Sequence, residues 1–220
     1  MNLLIVGALL WLAVHLGIAG TKVREALVGR LGEQGYRGVF SLLALAALLV
    51  LIFGYGRGRA ETTLLWVAPA WFVAAVDAVM LAAFVLLASA VIRPRGAGEG
   101  PRGVFRITRH PLMSAVGLWS GAHLLANGDT ASVIFFGSFL LTVLLGLASA
   151  DAKLARRDPE KAAALHGATS RMPFAAILAG RNRLALAEIG WLAPLAGLVA
   201  WAAVLHLHQW VIGVSALPVW

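Results

Sequence analysis

The sequence predicts an all-α integral membrane protein, a polytopic bundle of about six transmembrane helices. Three observations carry this expectation. The 220-residue chain is 60% hydrophobic and only 13% charged, with a mean hydropathy of +0.86. A soluble domain carries roughly 25% charged residues. Six stretches are long and apolar enough, or nearly so, to cross a bilayer core of about 30 Å, which takes about 20 helical residues. The basic residues alternate from loop to loop. This composition excludes a disordered chain, a collagen-like chain and an ordinary cytosolic enzyme.

The spans follow in order, within one membrane domain covering 1–220. The first is 1–20. No Lys or Arg precedes it, and Lys22 and Arg24 follow it. That polarity is wrong for a cleaved secretory signal, so it is expected as a mature helix. The second is 38–56, after a basic loop at 21–37. The third, 66–92, is long enough to tilt. The fourth, 111–127, is the shortest and ends at Asn127-Gly128-Asp129-Thr130, a turn signal. It therefore forms a tight helical hairpin with the fifth, 131–149. Residues 150–188 are the only sizeable soluble piece. Their charges, with Pro159 and Pro173, predict a helix–turn–helix on the cytoplasmic surface. The sixth span is 189–213.

Loops 21–37, 93–110 and 150–188 hold 16 Lys and Arg, against 2 in the intervening loops. The positive-inside rule then puts both termini on the periplasmic side of a bacterial inner membrane. The net charge of +8 reports topology, with membrane lipid as the expected partner and no nucleic acid. The chain has no cysteine. This excludes disulfides, thiolate zinc sites, iron–sulfur clusters and covalently attached c-type haem.

Ionisable groups inside spans are expensive, so each is a functional candidate. His15 lies in the first span, His123 in the fourth, Asp77 in the third, and His206 with His208 in the outer half of the sixth. Trp11 precedes His15 by four residues and Trp119 precedes His123 by four, which stacks Trp and His on one helix face. Small residues surround both: Gly17, Gly20, Ser120 and Gly121. Two neutral imidazoles on different helices suit the axial positions of a non-covalent haem; the alternative is that each simply bonds a backbone carbonyl. Their depths differ by roughly 10 Å at 1.5 Å per residue, a gap that helix tilt or a first helix continuing past Gly20 would close. Asp77 is expected as the acceptor that orients one imidazole, or as a protonated acid bonded to a neighbour. His208 reads as interfacial packing. Arg106, Arg109 and His110 crowd the helix start at Pro111, which suits an anion such as a lipid head or a haem propionate; the alternative is ordinary cytoplasmic anchoring.

Several segments resemble the NnrU family of membrane proteins, to which the zeta-carotene isomerases are related. They are Ala13-Val14-His15-Leu16-Gly17 with Val28-Gly29-Arg30 and Tyr36-Arg37, then Phe105-Arg106-Ile107-Thr108-Arg109-His110-Pro111-Leu112-Met113, then Leu118-Trp119-Ser120-Gly121-Ala122-His123. A last one is Thr169-Ser170-Arg171-Met172-Pro173-Phe174-Ala175-Ala176-Ile177 with Gly180-Arg181. The resemblance implies a haem b membrane protein with His15 and His123 as iron ligands, and a redox-dependent cis–trans isomerase of a carotenoid or other isoprenoid. Two isomerase features are absent: a Cys at the position of Ser120, and a His pair in the fifth span. Two other readings stay open. One is a non-enzymatic haem protein for electron transfer, nitric oxide sensing or reductase assembly in denitrification. The other is a membrane methyltransferase using S-adenosylmethionine, suggested by Arg109-His110-Pro111.

Overall fold

The computed structural model describes residues 1–92 and 100–216; Arg93 and Arg95 of the second basic loop lie outside the described residues. The elements are α1 (Asn2–Leu12) with a π-helical turn (Ala13–Ile18), α2 (Val23–Gly58), α3 (Ala70–Ile92), α4 (Val104–Ile107), α5 (Pro111–Ala126), α6 (Thr130–Arg157), α7 (Pro159–Ala168), α8 (Ala175–Leu178), α9 (Leu186–Ile189) and α10 (Leu192–Ile212). The all-α membrane architecture is the one expected. Among the described residues, four helices are long and apolar enough to cross a membrane: α2 with the turn after it, α3, α6 and α10. The first and fourth expected spans are also helical but shorter, at Asn2–Ile18 and Pro111–Ala126.

Two boundaries differ from the sequence reading. Residues 21–37 are mostly helix, because Val23-Arg-Glu-Ala-Leu is rich in helix formers and no Pro interrupts it. The helix kinks at Gly32, at φ 70° and ψ 169°, a conformation that a side chain would resist. Arg24 folds back across the kink onto Glu33 at 2.8 Å and over the Tyr36 ring at 5.1 Å. The third span starts at Ala70 rather than 66. The segment before Pro69 is irregular, with an isolated bridge between Leu64 and Asp129, and the N–H groups of Leu65 and Trp66 donate to the Gly128 carbonyl at 2.6 and 3.1 Å.

The chain forms two compact units, the first comprising Met1–Ala68 and His123–Ser149. In it α1 and α2 cross at a pair of glycines. A Cβ on Gly7 would sit 2.6 Å from Leu51 Cα, and one on Gly54 would sit 2.6 Å from Leu4 Cα. Small residues let membrane helices approach this closely, since packing rather than hydrophobic exclusion joins them in lipid. Leu4 and Leu51 are fully buried at this crossing. Gly54→Ala is expected to force the backbones apart, at a cost of about 1–3 kcal/mol. Gly56→Ala, which meets open space, is the neutral control. Thermal unfolding in detergent measures both, and equal midpoints would mean the crossing gives way without strain. At one end of this unit Asp129 caps α6. It accepts from Thr62 Oγ1 at 2.6 Å, Ser132 Oγ at 2.7 Å and Ser132 N–H at 3.0 Å. Burial raises its carboxyl, and these bonds outweigh burial and hold it below its ordinary value.

The second unit comprises the described residues of Pro69–Ala122 and Ala150–Trp220. Here α3 and α10 pack closely, with Gly197 against the Val85 backbone, where a Cβ would lie 2.7 Å from Val85 Cα. Leu86, Val104 and Ala115 form a small core with Phe105 and Leu118. The expected helix–turn–helix of 150–188 is instead a polar extension of α6, then α7, then the single turns α8 and α9. Asp158 caps α7 by accepting from Lys161 N–H at 3.0 Å, with Pro159 in the first turn, the favoured chemistry for a helix start.

Candidate functional site

The two histidines both fall in the first unit. His15 sits on the π-helical turn, where the Ala19 N–H reaches back five residues to the Val14 carbonyl at 3.2 Å. Such wide turns are rare and gather at functional sites. The imidazole Nδ1 pairs with the Trp11 carbonyl at 3.0 Å. Since a carbonyl only accepts, Nδ1 carries the proton and Nε2 keeps its lone pair. The orienting group is therefore the Trp11 backbone and not the Asp77 carboxylate. The ring of Trp11 lies 3.8 Å from that of His15, and its Nε1 donates to Thr142 Oγ1 at 3.0 Å.

His123 stacks on Phe136 at 4.9 Å. Between the two histidines runs a continuous row of rings: Trp11 to Phe139 at 4.6 Å, Phe139 to Phe135 at 5.3 Å, and Phe135 to Phe136 at 5.0 Å. Tyr55 stacks on Phe135 at 4.5 Å and pairs with Ser132 Oγ at 3.0 Å. Phe40 lies edge-on to His15 at 5.5 Å. The sequence reading found the histidines and Trp11 but missed the phenylalanines of α6. Their signal was present: 135, 136 and 139 recur at helical spacing.

The small neighbours divide. Gly17 and Gly121 meet open space, whereas Gly20 is needed for its own turn, since a Cβ there would strike the Leu16 carbonyl at 2.1 Å. Ser120 is fully buried and donates to the Val116 carbonyl at 2.8 Å. Trp119 keeps its place one turn before His123 on α5. Asp77 and the last two histidines are elsewhere. Asp77 belongs to the second unit, where its backbone carbonyl accepts from Trp201 Nε1 at 3.1 Å. His206 and His208 pair through Nδ1 with the carbonyls of Ala202 and Val214, each at 2.8 Å.

The basic motif before α5 builds a second cluster, a clamp around two carboxylates. Arg109 donates to both Asp151 oxygens through Nε and Nη2, at 2.8–3.2 Å, and to the Thr169 carbonyl through Nη1 at 3.0 Å. His110 Nε2 pairs with the same carboxylate at 2.8 Å, and Arg171 Nε binds it too. His166 Nε2 is 3.5 Å away. Asp151 and Arg109 are 3% and 8% exposed. Arg106 grips Glu188 through Nε and Nη2 at 2.8 and 2.9 Å, and Asn182 through Nη1 at 2.9 Å. The anion held by these arginines is thus the chain's own carboxylate, in place of the expected lipid head or propionate. Sequence reading missed it because both acids lie far along the chain, beyond the fifth span. The clamp also joins two motifs that stood apart in the sequence. Arg109 N–H bonds the Ser170 carbonyl at 3.0 Å, Thr108 Oγ1 the Arg171 carbonyl at 2.8 Å, and Phe174 N–H the Ile107 carbonyl at 2.9 Å.

The Arg106 guanidinium and the Gly103 amide hold the Glu188 carboxyl at about 2, against an ordinary 4.5. A depressed carboxyl contributes stability in full above its unfolded value and loses it as pH falls toward the folded one. The difference in melting temperature between the native chain and Glu188→Gln is therefore expected to shrink between pH of about 4.5 and about 2. A difference that stays constant across this window would show that the pair contributes nothing.

The sequence model for the NnrU protein family matches residues 3–216. The chain belongs to the NnrU family. Among proteins similar to this NnrU chain is the 15-cis-zeta-carotene isomerase, chloroplastic, of Zea mays, 30% identical over 186 residues. The Arabidopsis thaliana protein of the same name is 29% identical over 187 residues. Each alignment covers 80% of this chain and 50% of the relative, so the chain spans about half the length of these relatives. No solved structure matches it.

Proposed function

We propose that the chain is a haem b-dependent cis–trans isomerase of a long polyene, a carotenoid or a related isoprenoid, taken from the membrane. The observation that carries this reading is the His15 imidazole, its proton fixed on Nδ1 by the Trp11 carbonyl at 3.0 Å and its Nε2 lone pair left for a metal. Ligand histidines are commonly held in this way through the second nitrogen. The donor set suits a non-covalent haem: two imidazoles in one compact unit, no cysteine, aromatic walls, and open space beside Gly17. His15 and His123 would hold it, one of them exchangeable. A bound haem would supply an iron that shares electron density with a conjugated π-system.

The chain's own residues do the rest. The Trp11–Thr142 bond holds the Trp11 ring against His15, tilted by 33° at 3.8 Å, and so limits how the imidazole can turn. Phe136 packs on His123, Phe40 on His15, and Phe139 backs Trp11. Their flat apolar faces suit a polyene, which has no polar group to satisfy. The names of the two plant relatives support the carotenoid class, and the 16-to-2 split of basic residues supports a bacterial inner membrane with periplasmic termini.

The test is an absorption spectrum of the detergent-purified protein, oxidised and reduced, followed by incubation with a cis-polyene and chromatography of the isomers. The expected result is a Soret band that shifts on reduction, and conversion to the trans isomer in one redox state only. Colourless protein from haem-replete cells sinks the haem. Coloured but inert protein sinks the isomerase and leaves an electron-transfer or nitric oxide-sensing role.

A further inference from the structure

Residues 170–192, between α7 and α10, carry charge and apolar surface in an unusual combination. Leu178 is 86% exposed and Trp191 73% exposed, with Met172 and Leu186 close behind. Phe174 adopts a left-handed backbone at φ 64° and presents a ring that is 45% exposed. Few side chains accept that conformation; here the N–H bond to the Ile107 carbonyl holds it. Interleaved are three exposed arginines, Arg171, Arg181 and Arg183, and one acid, Glu188, already committed to Arg106.

The segment is fastened on its polar side. Arg171 binds Asp151, and Arg181 Nη1 donates to the carbonyls of His166 and Gly167 at the end of α7, at 3.0 and 2.7 Å. Its apolar side chains are left outward. It runs directly into α10, and Trp191 immediately precedes that span. Tryptophan settles at the level where a helix enters the headgroup region.

We propose that residues 172–191 form an in-plane lipid anchor, seated in the anionic headgroup and upper acyl layer of the bilayer that the chain's own spans cross. Exposed Leu, Met and Trp supply the apolar contact, and Arg183, which takes no part in the fastening, meets lipid phosphate, the composition of an interfacial element. A second copy of this chain is the poorer occupant, because a two-fold contact would set the same arginines against each other.

The cysteine-free sequence allows the test on the full chain. Met172→Cys and Leu178→Cys carry a nitroxide label in vesicles of phosphatidylcholine and phosphatidylglycerol. Labels at Lys161→Cys on α7 and Leu144→Cys on α6 give the water and lipid references. The expected ratio of oxygen to nickel-chelate accessibility at 172 and 178 is several-fold above that at 161 and approaches that at 144. A ratio equal to that at 161 overturns the anchor. Dipolar broadening between labels at 178, which marks a self-interface, overturns it as well.

Discussion

Asp151→Ala is expected to destabilise the protein by about 3–5 kcal/mol, the usual cost of removing one partner from a buried ion pair. The reason lies in what is left behind. Arg109 is buried and commits its Nε and Nη2 to that carboxylate, so the variant strands a cation away from water. Arg171 and His110 lose the same acceptor. A membrane domain with a total stability near the usual 5–15 kcal/mol would keep little of it. Asp151→Glu keeps the charge and should lose less. The double change Asp151→Leu with Arg109→Met removes both charges and should recover much of the loss, because an apolar pair needs no compensation. Denaturant unfolding in mixed micelles reads all three. A single Asp151→Ala variant within about 1 kcal/mol of the native chain would mean that water reaches the clamp.

His15→Ala and His123→Ala are expected to abolish or reshape the Soret band. Loss of an outer partner of a metal ligand already costs roughly 10–100-fold in affinity, and loss of the ligand itself should cost at least that. His206→Ala is the control. Its Nδ1 also bonds a carbonyl four residues back, at 2.8 Å, but it lies in the second unit, apart from the aromatic row of the first. Its spectrum should match the native one. Added imidazole should restore part of the band to His15→Ala if the defect is a missing ligand, and none if the variant has lost its fold. An unchanged band in both His15→Ala and His123→Ala would remove these residues from the iron.

The apolar runs picked out the four helices that, among the described residues, are long and apolar enough to cross a membrane, because a span must satisfy its backbone within itself and only long apolar sequence achieves that in lipid. The boundaries that slipped did so for local reasons. Val23–Leu31 is helical through propensity although it is charged, and residues 64–66 stay out of the helix because Leu64 bridges Asp129 and the N–H groups of Leu65 and Trp66 bond Gly128. At the site, His15 and His123 stood out as ionisable groups in apolar surroundings. Their relation through Phe135, Phe136 and Phe139 did not, since it depends on how α6 is rotated about its axis. Arg109 was found but its partner was not. A carboxylate 42 positions away leaves no periodic trace in a single sequence. The left-handed Phe174 was equally invisible, since aromatic residues are not the ones that mark such turns.

The wide turn at Ala13–Ile18 makes the first span sensitive to length as well as to composition. A π turn holds one residue more than an α turn fits comfortably. Removing one residue after His15 would let the helix close to ordinary pitch, with the segments on either side keeping nearly their present faces. Removing one between Trp11 and His15 would instead change their four-residue spacing and with it the bond from the imidazole to the Trp11 carbonyl. The count of residues between indole and imidazole is therefore the tighter constraint, ahead of which apolar side chains fill the rest of the turn.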